Sequence, residues 1–156
     1  MLDEATRKEN ALEYARLMNA GDVDGVLEMF SDDVVFEDPV GATPIRGKDQ
    51  LRKHIAWSIA CSAHETPGRP VTSMDERWVV VPTTVEVRIP TKLTFEIIGV
   101  VEIGDDGLTR HVRAFWGVSN TRIGDGPELT GIEHVLTVVD HLRQMHGPAR
   151  DSARSA

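Results

Sequence analysis

Cysteine is nearly absent: Cys61 stands alone in 156 residues. That excludes an internal disulfide and any multi-cysteine zinc site. Aromatic residues are scarce at 5%, with a single tyrosine, Tyr14. No apolar run reaches the roughly 18 residues of a transmembrane helix. The first ten residues, MLDEATRKEN, lack a signal peptide's apolar region, so a reducing cytoplasm is the expected address. Positive charge is short too: 17 Lys and Arg against 25 Asp and Glu leave a net charge of −8. A broad nucleic-acid surface needs clustered basic residues, and an anionic membrane would attract this chain little. The chain does carry 40% apolar and 27% charged residues, the composition of a folded globular protein. Its length suits one domain, expected over residues 1–146 with a flexible tail at 147–156.

Helical and strand periods divide the chain. Asp3 can cap a helix to Ala20 whose buried face includes Ala11, Tyr14, Ala15 and Met18, and Gly21 is a natural stop. Asp22 then caps a short helix through Phe30, and Asp32-Asp33 reads as a turn before a strand at 34–36. A third helix opens at Gly47 and runs to about Cys61, and SAHETPGRP at 62–70 has loop composition. Strands are predicted at about 77–89, 92–103 and 108–119, the last two joined by a hairpin over Gly104–Gly107. Thr130 and Glu133 form a capping box for a C-terminal helix at about 131–146. Helices followed by an antiparallel meander make an α+β pattern.

Chemistry concentrates in VVFEDPVG at 34–41. Strand alternation sends Phe36 and Asp38 one way and Val35 and Glu37 the other. Asp38 therefore ends an apolar, inward face, where a carboxylate is costly unless paired, solvated or functional. A strand-end Asp that caps a turn is the plain alternative. On the last strand Val112, Ala114 and Trp116 share a face, and a buried indole N–H needs a partner. The same parity turns Arg113 outward.

Tyr14, GDV at 21–23, EDPVG at 37–41, PIRG at 44–47 and AFW at 114–116 occur in one order and spacing. In these motifs the chain resembles bacterial ketosteroid isomerases of the nuclear-transport-factor-2-like (SnoaL-like) superfamily. The resemblance covers roughly residues 8–120 and is most specific from Tyr14 to Gly47. It implies a cone: a curved antiparallel sheet wrapped on three N-terminal helices around a deep apolar pocket. It also implies a steroid delta-isomerase, in which Asp38 moves a proton of a 3-oxo-Δ5-steroid to give the Δ4 isomer. Tyr14 would donate to the oxyanion and Trp116 would steady the base. The family's second donor, a protonated carboxylic acid of the kind known from ketosteroid isomerase, falls at Gly99 here. Glu96, three residues away, is on the opposite face. Phe30 and Ile55 take the places of further tyrosines found in some members, and His54 replaces an aromatic pocket wall.

With Trp116 and His54, the expected lining is Phe36, Phe30, Met18, Phe95, Val101, Ala114 and Gly99, joined by Leu17, Ile97 and Val112. It suits a small, apolar, steroid-like ring substrate. Other acid–base enzymes of the fold are the alternative, polyketide cyclases and epoxide hydrolases among them, as is a binder of apolar rings without catalysis. An epoxide hydrolase would want two acids and an Arg converging on a water. No cofactor or metal is required: none of the six histidines forms an HExxH pair. Cys61 reads as a buried spectator. Ile98 and Val100 make the outer face of the sheet apolar as well, and a homodimer packed through it is the simplest cover.

Overall fold

A computed structural model describes residues 2–127. The predicted C-terminal helix and tail lie outside the described residues. Three helices and an eight-stranded sheet are described. Helix α1 spans Glu4–Ala20, α2 Val23–Glu28 and α3 Gly47–Ala60. The strands are β1 Phe30–Glu37, β2 Ile45–Arg46, β3 His64–Pro67, β4 Val71–Thr72, β5 Trp78–Val87, β6 Leu93–Ile103, β7 Thr109–Phe115 and β8 Thr121–Ile123. The sheet order is β2-β1-β7-β6-β5-β3, with β4 on β5 and β8 on β6. The architecture is α+β, with a curved sheet wrapped on the helices, as expected.

The local signals act where they were read. The Asp3 carboxylate accepts from Thr6 N at 2.8 Å and starts α1. Gly21, at φ 72°, ends it in the left-handed conformation that favours glycine. Asp22 accepts from Gly25 N at 2.9 Å and caps α2. The buried faces of these helices pack with Phe30, Phe36 and Val112 in one apolar cluster.

Four expectations are corrected. The sheet is mixed, because β1 runs parallel to β7. That pairing joins segments some 75 residues apart (Phe36 with Val112), a choice no local pattern encodes. Second, α2 stops at Glu28, and Phe30 opens β1 opposite Thr109. Asp32-Asp33 is not a turn; the β1–β7 register shifts between Phe30 and Val35, leaving both acids exposed in an irregular stretch of strand. Third, part of the expected loop at 62–70 is strand β3, antiparallel to β5 with Glu65 opposite Val85. Fourth, β7 ends at Phe115, short of 119, and the chain returns as β8 along the start of β6. Leu17 packs within the helical cluster, not on the cavity wall.

Arg7, on α1, is 2% exposed and was not singled out by the sequence. Its guanidinium donates to the Ile103 carbonyl and pairs with Asp105 at 3.0 Å, tying α1 to the β6–β7 hairpin. Because Asp105 is 72% exposed, removing the arginine strands no buried charge. Arg7→Ala therefore costs packing and one carbonyl partner, about 1–3 kcal/mol. Arg7→Met restores much of the packing and should lose less. Urea unfolding measures both, and equal stability of Arg7→Ala and wild type would deny the tie any role.

Candidate active site

Asp38 follows the last residue of β1, and the predicted alternation is observed around it. Phe36 is buried, while Glu37 turns to the outer face and accepts from Arg113 Nε at 2.9 Å, with His111 Nε2 also at 2.9 Å. Those two partners, His111 foremost, hold the Glu37 carboxyl below its usual range. Arg113 thus lies outside the cavity, as parity requires. Asp38 points inward. Trp116 Nε1 donates to its Oδ1 at 2.6 Å, so the indole N–H has the partner that burial demands. The indole is itself held edge-on against Phe95, centroids 4.8 Å apart. His54 Nε2 stands 3.4 Å from Asp38 Oδ2. Instead of a bare pocket wall, α3 presents a polar ring to the carboxylate, between Phe36 and Trp57. Val40 N donates to the Ala114 carbonyl at 2.8 Å, anchoring the chain just past Asp38 to β7.

Two adjoining chambers, of about 100 and 110 Å³, occupy the interior. Phe30, Phe36, Gly99, Val101 and Ala114 line the first. Met18, His54, Phe95 and Trp116 line the second, together with Trp57 and Cys61. Every lining residue named from strand parity and resemblance except Leu17 therefore faces one chamber or the other. Tyr14, Asp38, Glu65 and Val85 line both, so the two acids and the phenol sit at the waist between the chambers. Gly99 is opposite Ala114 on β7 and Val81 on β5. Glu96 is not at this wall, and bonds Thr84 and Arg122 instead.

Glu65 is the residue that sequence reasoning missed. Its segment has the composition of a loop, and only pairing with β5 makes it a strand. Within β3, His64 and Thr66 are exposed and Glu65 is half-buried toward the cavity. Burial, with the charge of Asp38 adding to it, pushes the Glu65 carboxyl up to about 8. Tyr14 packs edge-on against Phe30 at 6.0 Å. Burial foremost, then Glu65 and Asp38, raises its phenol well above the ordinary value. The waist thus holds two carboxyl groups, of which Glu65 is raised toward its neutral form, and one phenol. That set can take a proton from one atom and give a proton to another without a metal. Among the described residues no group of three His, Cys, Asp or Glu side chains is placed to hold a metal ion.

Comparison with known proteins agrees with this architecture. The SnoaL-like domain family matches residues 11–147. The epoxide hydrolase LasB of Streptomyces lasalocidi is 41% identical over 123 residues, covering 76% of this chain and 44% of that protein. The chain thus spans less than half the length of that relative. Among solved structures, the epoxide hydrolase/cyclase-like enzyme SalBIII, studied for pyran ring formation in the polyether salinomycin, aligns at TM-score 0.76 and 29% identity. That alignment covers 80% of this chain and all (100%) of SalBIII. RV0760c of Mycobacterium tuberculosis, solved with estradiol-17beta-hemisuccinate, aligns at TM-score 0.71 and 19% identity over 75% of this chain and 98% of that one, a likeness of fold alone. With the family matched across most of its length and the cavity built on the expected strands, the chain belongs to the SnoaL-like domain family.

Proposed function

We propose that this protein opens an epoxide in an apolar substrate by paired acid–base catalysis, with Asp38 as base and Glu65 as acid. The observation that carries the reading is a pair of carboxyl groups, Asp38 and Glu65, facing one apolar cavity, where burial pushes Glu65 up to about 8. Asp38 takes the proton from an attacking oxygen, either a substrate hydroxyl or a water. That oxygen bonds to one epoxide carbon as the carbon–oxygen bond of the ring breaks. Glu65 gives its proton to the departing oxygen, and Tyr14 donates a hydrogen bond to the same oxygen. Charge favours the coupling. As Asp38 gains a proton it stops raising Glu65, which becomes a stronger acid when its proton is needed. Proton return from Asp38 to Glu65 restores the starting state. Of the two acids and one Arg expected for such chemistry, the cavity holds the two acids, and Arg113 stays on the outer face.

The names borne by LasB and SalBIII support this reading. The test is an apolar epoxy alcohol whose hydroxyl can reach an epoxide carbon, incubated in water carrying heavy oxygen. Cyclic ether without the label means attack by the hydroxyl, and labelled diol means attack by water. Neither product above the uncatalysed background would sink the proposal.

Steroid isomerisation is the second reading, and one observation favours it. Glu65 brings a neutral carboxylic acid to the same cavity that Gly99 leaves without a second donor. The two readings ask different things of Glu65. An oxyanion donor only shares its proton, whereas epoxide opening consumes it. Glu65→Gln keeps an N–H donor and so spares an isomerase far more than an epoxide-opening enzyme.

The homodimer carries over as part of the proposal. Ile98 and Phe115, 45% and 41% exposed, lie on the outer sheet face that a second copy would cover. Sedimentation should show a dimer, and Phe115→Lys should shift it toward monomer. A wild-type monomer at high concentration would remove the idea.

A further inference from the structure

Glu65 stands on the last strand of the sheet. Among the described residues, β3 has β5 on one side and no strand on the other. A short edge strand is the least constrained part of a sheet, because one row of its backbone groups lacks a ladder partner. Its four residues are a weak platform for an acid that must reach the reacting atoms. On this edge the Glu65 N–H donates to Asn19 Oδ1 at 2.7 Å, and Asn19 Nδ2 donates to the Glu65 carbonyl at 2.8 Å. The side-chain amide stands where a peptide group of a further strand would stand.

We propose that Asn19 is the positioning residue for Glu65: its amide clamps both free backbone groups of Glu65 to the end of α1 and so holds the carboxyl at the waist of the cavity. This rests on the acid role given to Glu65 above. Asparagine suits the task by composition. Its carboxamide sets an N–H donor beside a carbonyl acceptor at the spacing of a peptide. Aspartate lacks the donor, leucine lacks both, and glutamine is a methylene too long. Its place on the helix is fixed as well, since the Gly21 cap ends α1 two residues later. The same helix carries Tyr14, so one rigid element sets both proton donors of the site.

The groups facing the Glu65 carboxyl are Asp38 from the end of β1 and Tyr14 from α1, with His54 of α3 behind Asp38. His64, its neighbour on β3, is exposed. Loosening the clamp lets the edge strand move outward, hydrates Glu65 and increases its distance from Asp38. Both changes act in one direction, lowering the value of about 8.

The test is the carboxyl titration of Glu65 by carbon-detected NMR in wild type, Asn19→Leu and Asn19→Ala, neither of which adds a charge. The proposal expects both variants to titrate at least about one unit lower than wild type. In the epoxide assay kcat should fall by about tenfold to a hundredfold with KM little changed, and the alkaline limb should move down in parallel. An unmoved Glu65 titration in folded Asn19→Leu overturns the clamp. If that variant does not fold, the titration of Asn19→Ala decides in the same way. The titration needs no substrate. A shifted titration with no epoxide activity in wild type would keep the clamp and discard the proposed reaction.

Discussion

Asp38→Asn and Glu65→Gln should each lower epoxide opening by about 10²–10⁴ while leaving the fold intact. Both replacements keep size and shape. Asparagine at position 38 can still accept from the Trp116 N–H that now meets the carboxylate at 2.6 Å, but it cannot take a proton from the nucleophile. Glutamine at position 65 still offers a hydrogen bond but has no proton to release. The double variant should be hardly worse than the worse single one, because the two groups serve one proton transfer in two halves. Wild-type activity should fall as pH rises through about 8, where Glu65 loses its proton. Tyr14→Phe should cost less than either acid, because the phenol shares its proton without surrendering it. Initial rates for the five proteins across pH make the measurement. A Glu65→Gln variant as active as wild type would overturn the role of Glu65 as the acid.

The second large effect is on stability, and Glu65 sets its sign. The carboxyl is held at about 8 in the folded chain against an ordinary 4.5. Below the lower value the group is neutral in both states, and its burial costs no ionisation. Between the two values the unfolded chain ionises while the folded chain keeps the proton, so stability falls as pH rises. Above the upper value both states are ionised and the loss is complete. Each unit of separation corresponds to about 1.4 kcal/mol. Because Glu65 is partly reached by solvent through the cavity, a discounted loss of about 2–4 kcal/mol is expected. Glu65→Gln is neutral at every pH and escapes that loss. It should be more stable than wild type by that amount at about pH 8.5, and should match it near pH 4. Urea unfolding at the two pH values shows the crossing. A difference independent of pH would mean that Glu65 is already ionised in the folded protein. A variant more stable and less active is the usual signature of a strained functional group.

The two predictions turn on residues of very different visibility. Asp38 was visible because alternation is a local rule. Phe36 fixes which face of β1 is buried, and Asp38 is two residues further on. Trp116 was visible because it continues the parity of Val112 and Ala114, one residue past the end of β7. The same rule placed Arg113 outside, where it meets Glu37, and put Gly99 on the cavity wall. Glu65 follows no such rule. HETP carries a proline and no run of strand-forming residues, so its local preference points to a loop. Pairing with β5 and the bonds to Asn19 override that preference. The expected turn at Asp32-Asp33 failed for a related reason, since the irregular pairing of β1 with β7 absorbs both acids.

By itself, then, the sequence determined the three N-terminal helices, the caps of α1 and α2, the face on which each long strand is buried and the inward Asp38. These follow from periodicities of two and 3.6 residues and from capping chemistry, all within a few positions of each residue concerned. Only the tertiary structure decided that β1 lies parallel to β7, that Phe30 opens a strand, and that Glu65 meets Asp38 across an apolar cavity. Those outcomes depend on contacts between distant segments. A carboxyl's acidity depends on what surrounds it, so the one acid kept neutral here was set by the fold and not by its neighbours in the chain.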